Sequence, residues 1–174
     1  MSNPATDRLI QAYNRMIERL HEALHGTESR ALPAFRSAVD KARRTAVELG
    51  ELSHDEAEKV SMYVKRDVED AAGYLADTGH ELGDWLRFDL HQIEDRLLET
   101  FAGVADRTRL EMLELQQTLE RDPPYRAGEI TGPGTIYCTA CNTAITINHT
   151  TRIAPCANCG NETFRRWPLD EEGV

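Results

Sequence analysis

The sequence predicts a mainly α-helical chain that ends in a small β module, and three observations carry that prediction. Apolar residues recur every three or four positions over most of the first 120 residues. Asp122-Pro123-Pro124 stops that pattern, because two consecutive prolines cannot continue a helix. Beyond this border all four cysteines fall between positions 138 and 159, among short stretches that alternate polar and apolar residues. The composition agrees. With 29% charged, 40% hydrophobic and 6% aromatic residues, the chain suits helices that each bury one stripe, not a thick aromatic core. Its 174 residues also exclude a large catalytic barrel or a doubly wound nucleotide fold with a second domain.

The first helix is predicted from about Pro4 to His25, with Leu9, Tyr13, Met16, Leu20 and Leu24 on one face, Pro4 in the first turn and Gly26 just past the end. A second follows Thr27 and runs to Leu49, with Leu32, Phe35, Val39, Ala42, Ala46 and Leu49 as its stripe and Gly50 as its stop. The short Gly26-Thr27 link makes the two a helical hairpin. Ser53-His54-Asp55-Glu56 then reads as a capping box. From there an eleven-residue repeat runs through Val60, Ala71, Leu82, Ile93, Val104 and Leu115, the pattern of long helices packed in coiled-coil fashion. A break is expected at Asp77 to His80, around Gly79, with Ala102-Gly103 as a second candidate. Trp85 and Phe88 lie beside the Leu82 and Leu86 row and read as core.

Charge divides the chain at the same border. Residues 1–124 carry 16 basic and 25 acidic groups, whereas 125–169 are net +2 through Arg126, Arg152, Arg165 and Arg166, and Asp170, Glu171 and Glu172 form an acidic tail. The expected organisation is therefore an acidic helical hairpin or bundle over 1–122, a small module over 125–169 and the tail over 170–174. No apolar window approaches a membrane span, and the N-terminus lacks the basic region and apolar run of a secretory signal. A cytoplasmic protein is expected, in keeping with cysteines confined to one cluster.

Cys138-Thr139-Ala140-Cys141 and Cys156-Ala157-Asn158-Cys159 are two C-x-x-C pairs. Each tight turn can place two thiolates on one ion, and the stretches around residues 135–137, 144–149 and 162–167 read as strands. The expectation is a three-stranded β zinc ribbon holding one structural Zn2+ on Cys138, Cys141, Cys156 and Cys159. Iron is the rival ion, since four thiolates in tetrahedral geometry accept it too. Asn142 and Gly160, each directly after the second cysteine of a pair, suit the left-handed conformation such a turn often needs.

Gly128-Glu129-Ile130-Thr131-Gly132-Pro133-Gly134 ahead of the first pair, the spacing of the pairs, and Phe164-Arg165-Arg166-Trp167-Pro168 behind the second, all after a helical region of this length, resemble the bacterial YbeL-like zinc ribbon-containing proteins. The resemblance covers nearly the whole chain. It implies zinc on the same four cysteines, a cytoplasmic setting and no established activity.

Two motifs tempt toward catalysis. His21-Glu22-Ala23-Leu24-His25 satisfies H-E-x-x-H, but Gly26 ends the helix at once and the third histidine of the extended protease motif is absent, so it reads as a solvated helix end. Glu22-x-x-His25 and Glu51-x-x-His54 mimic a di-iron pair, yet both fall at helix ends where a di-iron bundle needs them facing each other in its middle. Gly132-Pro133-Gly134 lacks the lysine of a phosphate loop. The expectation is thus a protein that is not an enzyme, an adapter that binds a protein partner or itself, with no membrane contact and no small-molecule substrate evident. The alternatives are a nucleic-acid-binding regulator acting through Arg152, Arg165 and Arg166, and a rubrerythrin-like di-iron peroxidase.

Overall fold

The computed structural model describes residues 4–25, 32–78, 100, 103–105 and 124–166. Three helices come first, α1 (Pro4–His25), α2 (Leu32–Glu48) and α3 (His54–Thr78). Six short strands follow: β1 (Tyr125–Arg126), β2 (Ile130–Thr131), β3 (Gly134–Cys138), β4 (Ala144–Ile147), β5 (Thr151–Arg152) and β6 (Thr163–Arg165).

The helices pack on one another through the stripes read from the sequence. Tyr13, Met16, Leu20 and Leu24 of α1, Phe35, Val39, Ala42 and Ala46 of α2, and Val60, Val64, Val68 and Ala71 of α3 are all buried in one core. Residues 103–105 are helical, and Val104 and Ala105 join that core. The capping box forms: the Ser53 hydroxyl accepts from the Glu56 amide at 3.3 Å, and the Glu56 carboxylate accepts from the Ser53 amide at 2.9 Å. These bonds satisfy two amides that the first turn leaves without helical partners.

Leu49 departs from expectation. α2 ends at Glu48, Gly50 takes a φ of 67°, and the chain folds back with the Glu51 and Leu52 amides donating to the Ala46 carbonyl. Leu49, whose amide still donates to the Thr45 carbonyl at 3.0 Å, is nonetheless 64% exposed, and Leu52 is buried in the core just beyond the turn. The break expected near Gly79, the helical rows beyond residue 105, Trp85, Phe88, the domain border at 122 and the acidic tail lie outside the described residues.

The β module is larger than a three-stranded ribbon. Its three predicted strands are β3, β4 and β6, but the antiparallel sheet has four members in the order β1-β6-β3-β4, and β2 pairs with β5 in a second ladder. The additional strands are two residues long, too short to show the alternation that marks a strand in sequence. Backbone contacts between distant segments create them: the amides of Ala127 and Gly128 donate to the carbonyls of Glu162 and Ile153, each at 2.8 Å. Tyr125, Ile136, Ile147, Ile153 and Phe164 form the module's own small core together with Cys138 and Cys156. Ile130 of β2 belongs to the helical core instead.

Candidate metal centre

Two tight turns position the cysteines. The first follows β3, where the Cys138 amide donates to the Thr143 carbonyl at 3.0 Å and the Asn142 amide to the Cys138 carbonyl at 3.0 Å. The second closes through the Gly160 amide on the Cys156 carbonyl at 2.7 Å, with the Cys156 amide on the Asn161 carbonyl at 2.8 Å. Asn142 and Gly160 take φ values of 54° and 74°, the left-handed conformation expected of them. The β3–β6 ladder sets Cys138 opposite Phe164, so the two turns meet.

The four sulfurs lie within 4.8 Å of one another, with Cys138 3.5 Å from Cys159 and Cys141 3.7 Å from Cys156. Sulfurs placed about 2.3 Å from one ion at tetrahedral corners are about 3.8 Å apart, so the cage fits zinc. Its electrostatics call for a cation. Hydrogen bonds from Asn158 and Thr143 hold the Cys141 thiol down to about 5. Burial opposes ionisation of Cys138, but the amides of Cys141 and Ala140 bring its thiol below the ordinary value. At Cys159 the Asn161 amide favours the thiolate, yet Cys141, burial and the other facing sulfurs push it up to about 12. Sulfurs this close cannot all carry charge without a positive ion among them, and a divalent ion removes the conflict. Asn161 braces the cage from outside: its side-chain amide lies 3.5 Å from the Cys138 sulfur and donates to the Thr163 carbonyl at 2.7 Å.

Residues 22–168 match the family described as zinc-ribbon containing domain. The chain belongs to that family. An uncharacterized protein YbeL of Escherichia coli K12 is 28% identical over 164 residues, which covers 94% of this chain and 99% of that protein, and the YbeL proteins of strains O6:H1 and O157:H7 match to the same extent. No solved structure matches. The family's zinc-ribbon description and the sulfur geometry agree on what the four cysteines suit.

The remaining candidate residues of this family member fall elsewhere. His21 is half-buried, not a solvated end, and its Nδ1–H donates to the Thr100 carbonyl at 3.3 Å. Glu51 accepts two hydrogen bonds from Arg19, at 2.7 and 2.9 Å, and lies 3.2 Å from Arg15, which holds its carboxyl below the usual range. Arg152 is exposed and donates to the Gly128 carbonyl at 3.0 Å; half-buried Arg165 donates to the Asn142 side chain at 2.6 Å. Arg166 is not presented to solvent at all. Only 5% exposed, it donates to the Tyr125 hydroxyl at 3.1 Å and to the Thr131 hydroxyl at 2.9 Å.

Arg166 belongs to a buried polar centre that sequence reading missed, organised on Asp67 of α3. The Asp67 carboxylate is fully buried and accepts from the Tyr13 hydroxyl at 2.7 Å, the Gly132 amide at 2.8 Å, the Thr131 hydroxyl at 3.1 Å and Arg66 Nε at 3.3 Å. Arg166 approaches it to 4.0 Å. Arg66 stacks 3.7 Å from the centre of the Tyr125 ring, and Arg166 stacks on that ring at 4.9 Å. Arg66 also pairs with Glu129 at 2.6 Å, and the Tyr125 hydroxyl donates to Asp70 at 2.5 Å. Burial, and for Tyr13 the Asp67 charge as well, pushes the phenols of Tyr13 and Tyr125 well above their ordinary value, so both stay neutral hydrogen-bond donors. Gly132 explains the glycine-rich approach to the cysteines: a Cβ there would sit 2.8 Å from the Tyr13 hydroxyl. The signal available in the sequence was a charged residue, Asp67, in phase with the buried Val64, Val68 and Ala71 row.

Proposed function

We propose that this protein is a non-enzymatic adapter that binds a protein partner or a second copy of itself, its ribbon held in shape by one structural zinc ion on Cys138, Cys141, Cys156 and Cys159. The observation that carries this reading is the closed cage: four protein sulfurs fill a tetrahedral ion and leave it no position for water or substrate. The residues that hinted at other chemistry support it too. His21 is engaged by Thr100 and Glu51 by two arginines, and among the described residues neither belongs to a group of three or more metal-ligating side chains. No described helix is long and apolar enough to cross a membrane.

Affinity capture from native lysate, with and without nuclease and in parallel with a Cys156→Ala variant, tests the reading. A nuclease-resistant partner, or self-association in solution, is expected. Recovery that vanishes with nuclease would move the function to nucleic acid, where burial of Arg166 leaves Arg152 and Arg165 as the candidate contacts. A strictly monomeric protein that recovers nothing would count against binding altogether.

A further inference from the structure

Two apolar cores are separate in this molecule, and what joins them is polar. Among the described residues the ribbon lends the helical core one buried apolar side chain, Ile130. The described junction is otherwise dominated by polar contacts: Asp67 with Thr131 and Gly132, Arg66 with Glu129 and stacked on the Tyr125 ring, Asp70 with Tyr125, and the Thr150 hydroxyl donating to Asn14 at 2.7 Å. Such a layer holds while every member is partnered and fails when some are withdrawn, because an abandoned buried charge is better solvated in water.

The ribbon's members of this layer are tied to the cysteine cage by short, continuous backbone. Arg166 directly follows β6, whose Phe164 pairs with the ligand Cys138 on one side and with Tyr125 on the other. The cage thus sets the position of Phe164, and Phe164 sets the two residues that stack and bond above Asp67. A core of five apolar side chains and two cysteines gives these strands little stability apart from the ion.

We propose that the Asp67 centre is a metal-linked latch: zinc in the cage fixes the β3–β6 ladder that carries Tyr125 and Arg166 to Asp67, and release of the ion frees the ribbon from helices that stay folded. The inference rests on the zinc reading above. Undocking bares the α1 and α3 face around Tyr13 and Asp67, so the exposure of that face answers to the state of the metal. By linkage the effect is reciprocal, so weakening the latch weakens zinc binding.

The test is hydrogen exchange on the full chain, zinc-loaded and zinc-stripped under reducing conditions, with metal content and helical circular dichroism measured on the same samples. On stripping, the helical signal is expected to persist and the α2 amides to keep their protection, while amides over residues 64–71 lose about tenfold or more. Zinc-loaded Asp67→Asn is expected to show the same loss at 64–71 with one ion bound, and a zinc Kd raised about tenfold. Unchanged protection at 64–71 in a chain that binds and releases zinc overturns the latch and spares the zinc reading. Collapse of the helical signal together with the metal also overturns it, since the chain is then one cooperative unit. A chain that binds no zinc at any ratio removes both. Should Asp67→Asn not fold, the titration of the unaltered chain decides alone.

Discussion

The helical unit and the ribbon solve the same problem, burying enough to stay folded, by opposite means. The helices bury stripes from three long elements, with Tyr13, Met16, Ile17, Leu20, Phe35, Val60 and Val64 essentially inaccessible. The ribbon's own core is small, with Ile136 and Phe164 as its fully buried anchors among the described residues, and two of its positions are cysteines of the sulfur cage. One unit is held by area removed from water; the other, with so little apolar core, is proposed to rely on the ion its sulfur cage suits. The two strategies meet at Asp67, which takes a hydrogen bond from Tyr13 of the helical core and holds Thr131 and Gly132 of the ribbon through polar contacts.

That contrast can be broken at three points. The largest effect is expected at the junction: Asp67→Ala removes the buried carboxylate that Tyr13, Thr131, Gly132 and Arg66 share and that faces Arg166, and should cost about 3–5 kcal/mol, read by chemical denaturation of the zinc-loaded protein. Leu20→Ala should cost about 2–5 kcal/mol in the helical transition and leave zinc affinity unchanged, because Leu20 lies in the helical core and not in the core that holds the cysteines. A shift in zinc affinity with Leu20→Ala would show the two regions to be less separate than their cores suggest. The smallest effect is expected at the α3 cap, where Ser53→Ala should cost about 1 kcal/mol of thermal stability with no change in the ribbon.

The parts legible in the sequence were those specified locally. α1 has the limits that Pro4 and Gly26 imply, the Ser53 cap forms with Glu56, and Asn142 and Gly160 take the conformation their chemistry permits. The cysteines were legible because metal ligation demands a residue type at a fixed interval. What escaped depends on distance along the chain. β1, β2 and β5 exist because segments far apart in sequence exchange backbone hydrogen bonds, and two residues carry no periodicity. The Asp67 centre gathers Tyr13, Arg66, Tyr125, Thr131 and Arg166, residues far apart in sequence whose local pattern gives no sign that they meet. Arg166 shows the cost most plainly: basic composition suggested a surface for phosphates, whereas the fold spends that guanidinium on a buried carboxylate and a tyrosine ring.

The dependence of the ribbon on a tetrathiolate zinc site is the claim on which the rest stands, and metal analysis joined to cobalt substitution tests it most directly. The account predicts one zinc per chain in purified protein, and a cobalt-loaded form with the visible spectrum of tetrahedral sulfur ligation. It also predicts that Cys156→Ala loses both the ion and the strand signal while keeping its helices. Stoichiometric iron in place of zinc, a cobalt spectrum of nitrogen or oxygen ligation, or a Cys156→Ala variant that retains metal and ribbon would contradict it.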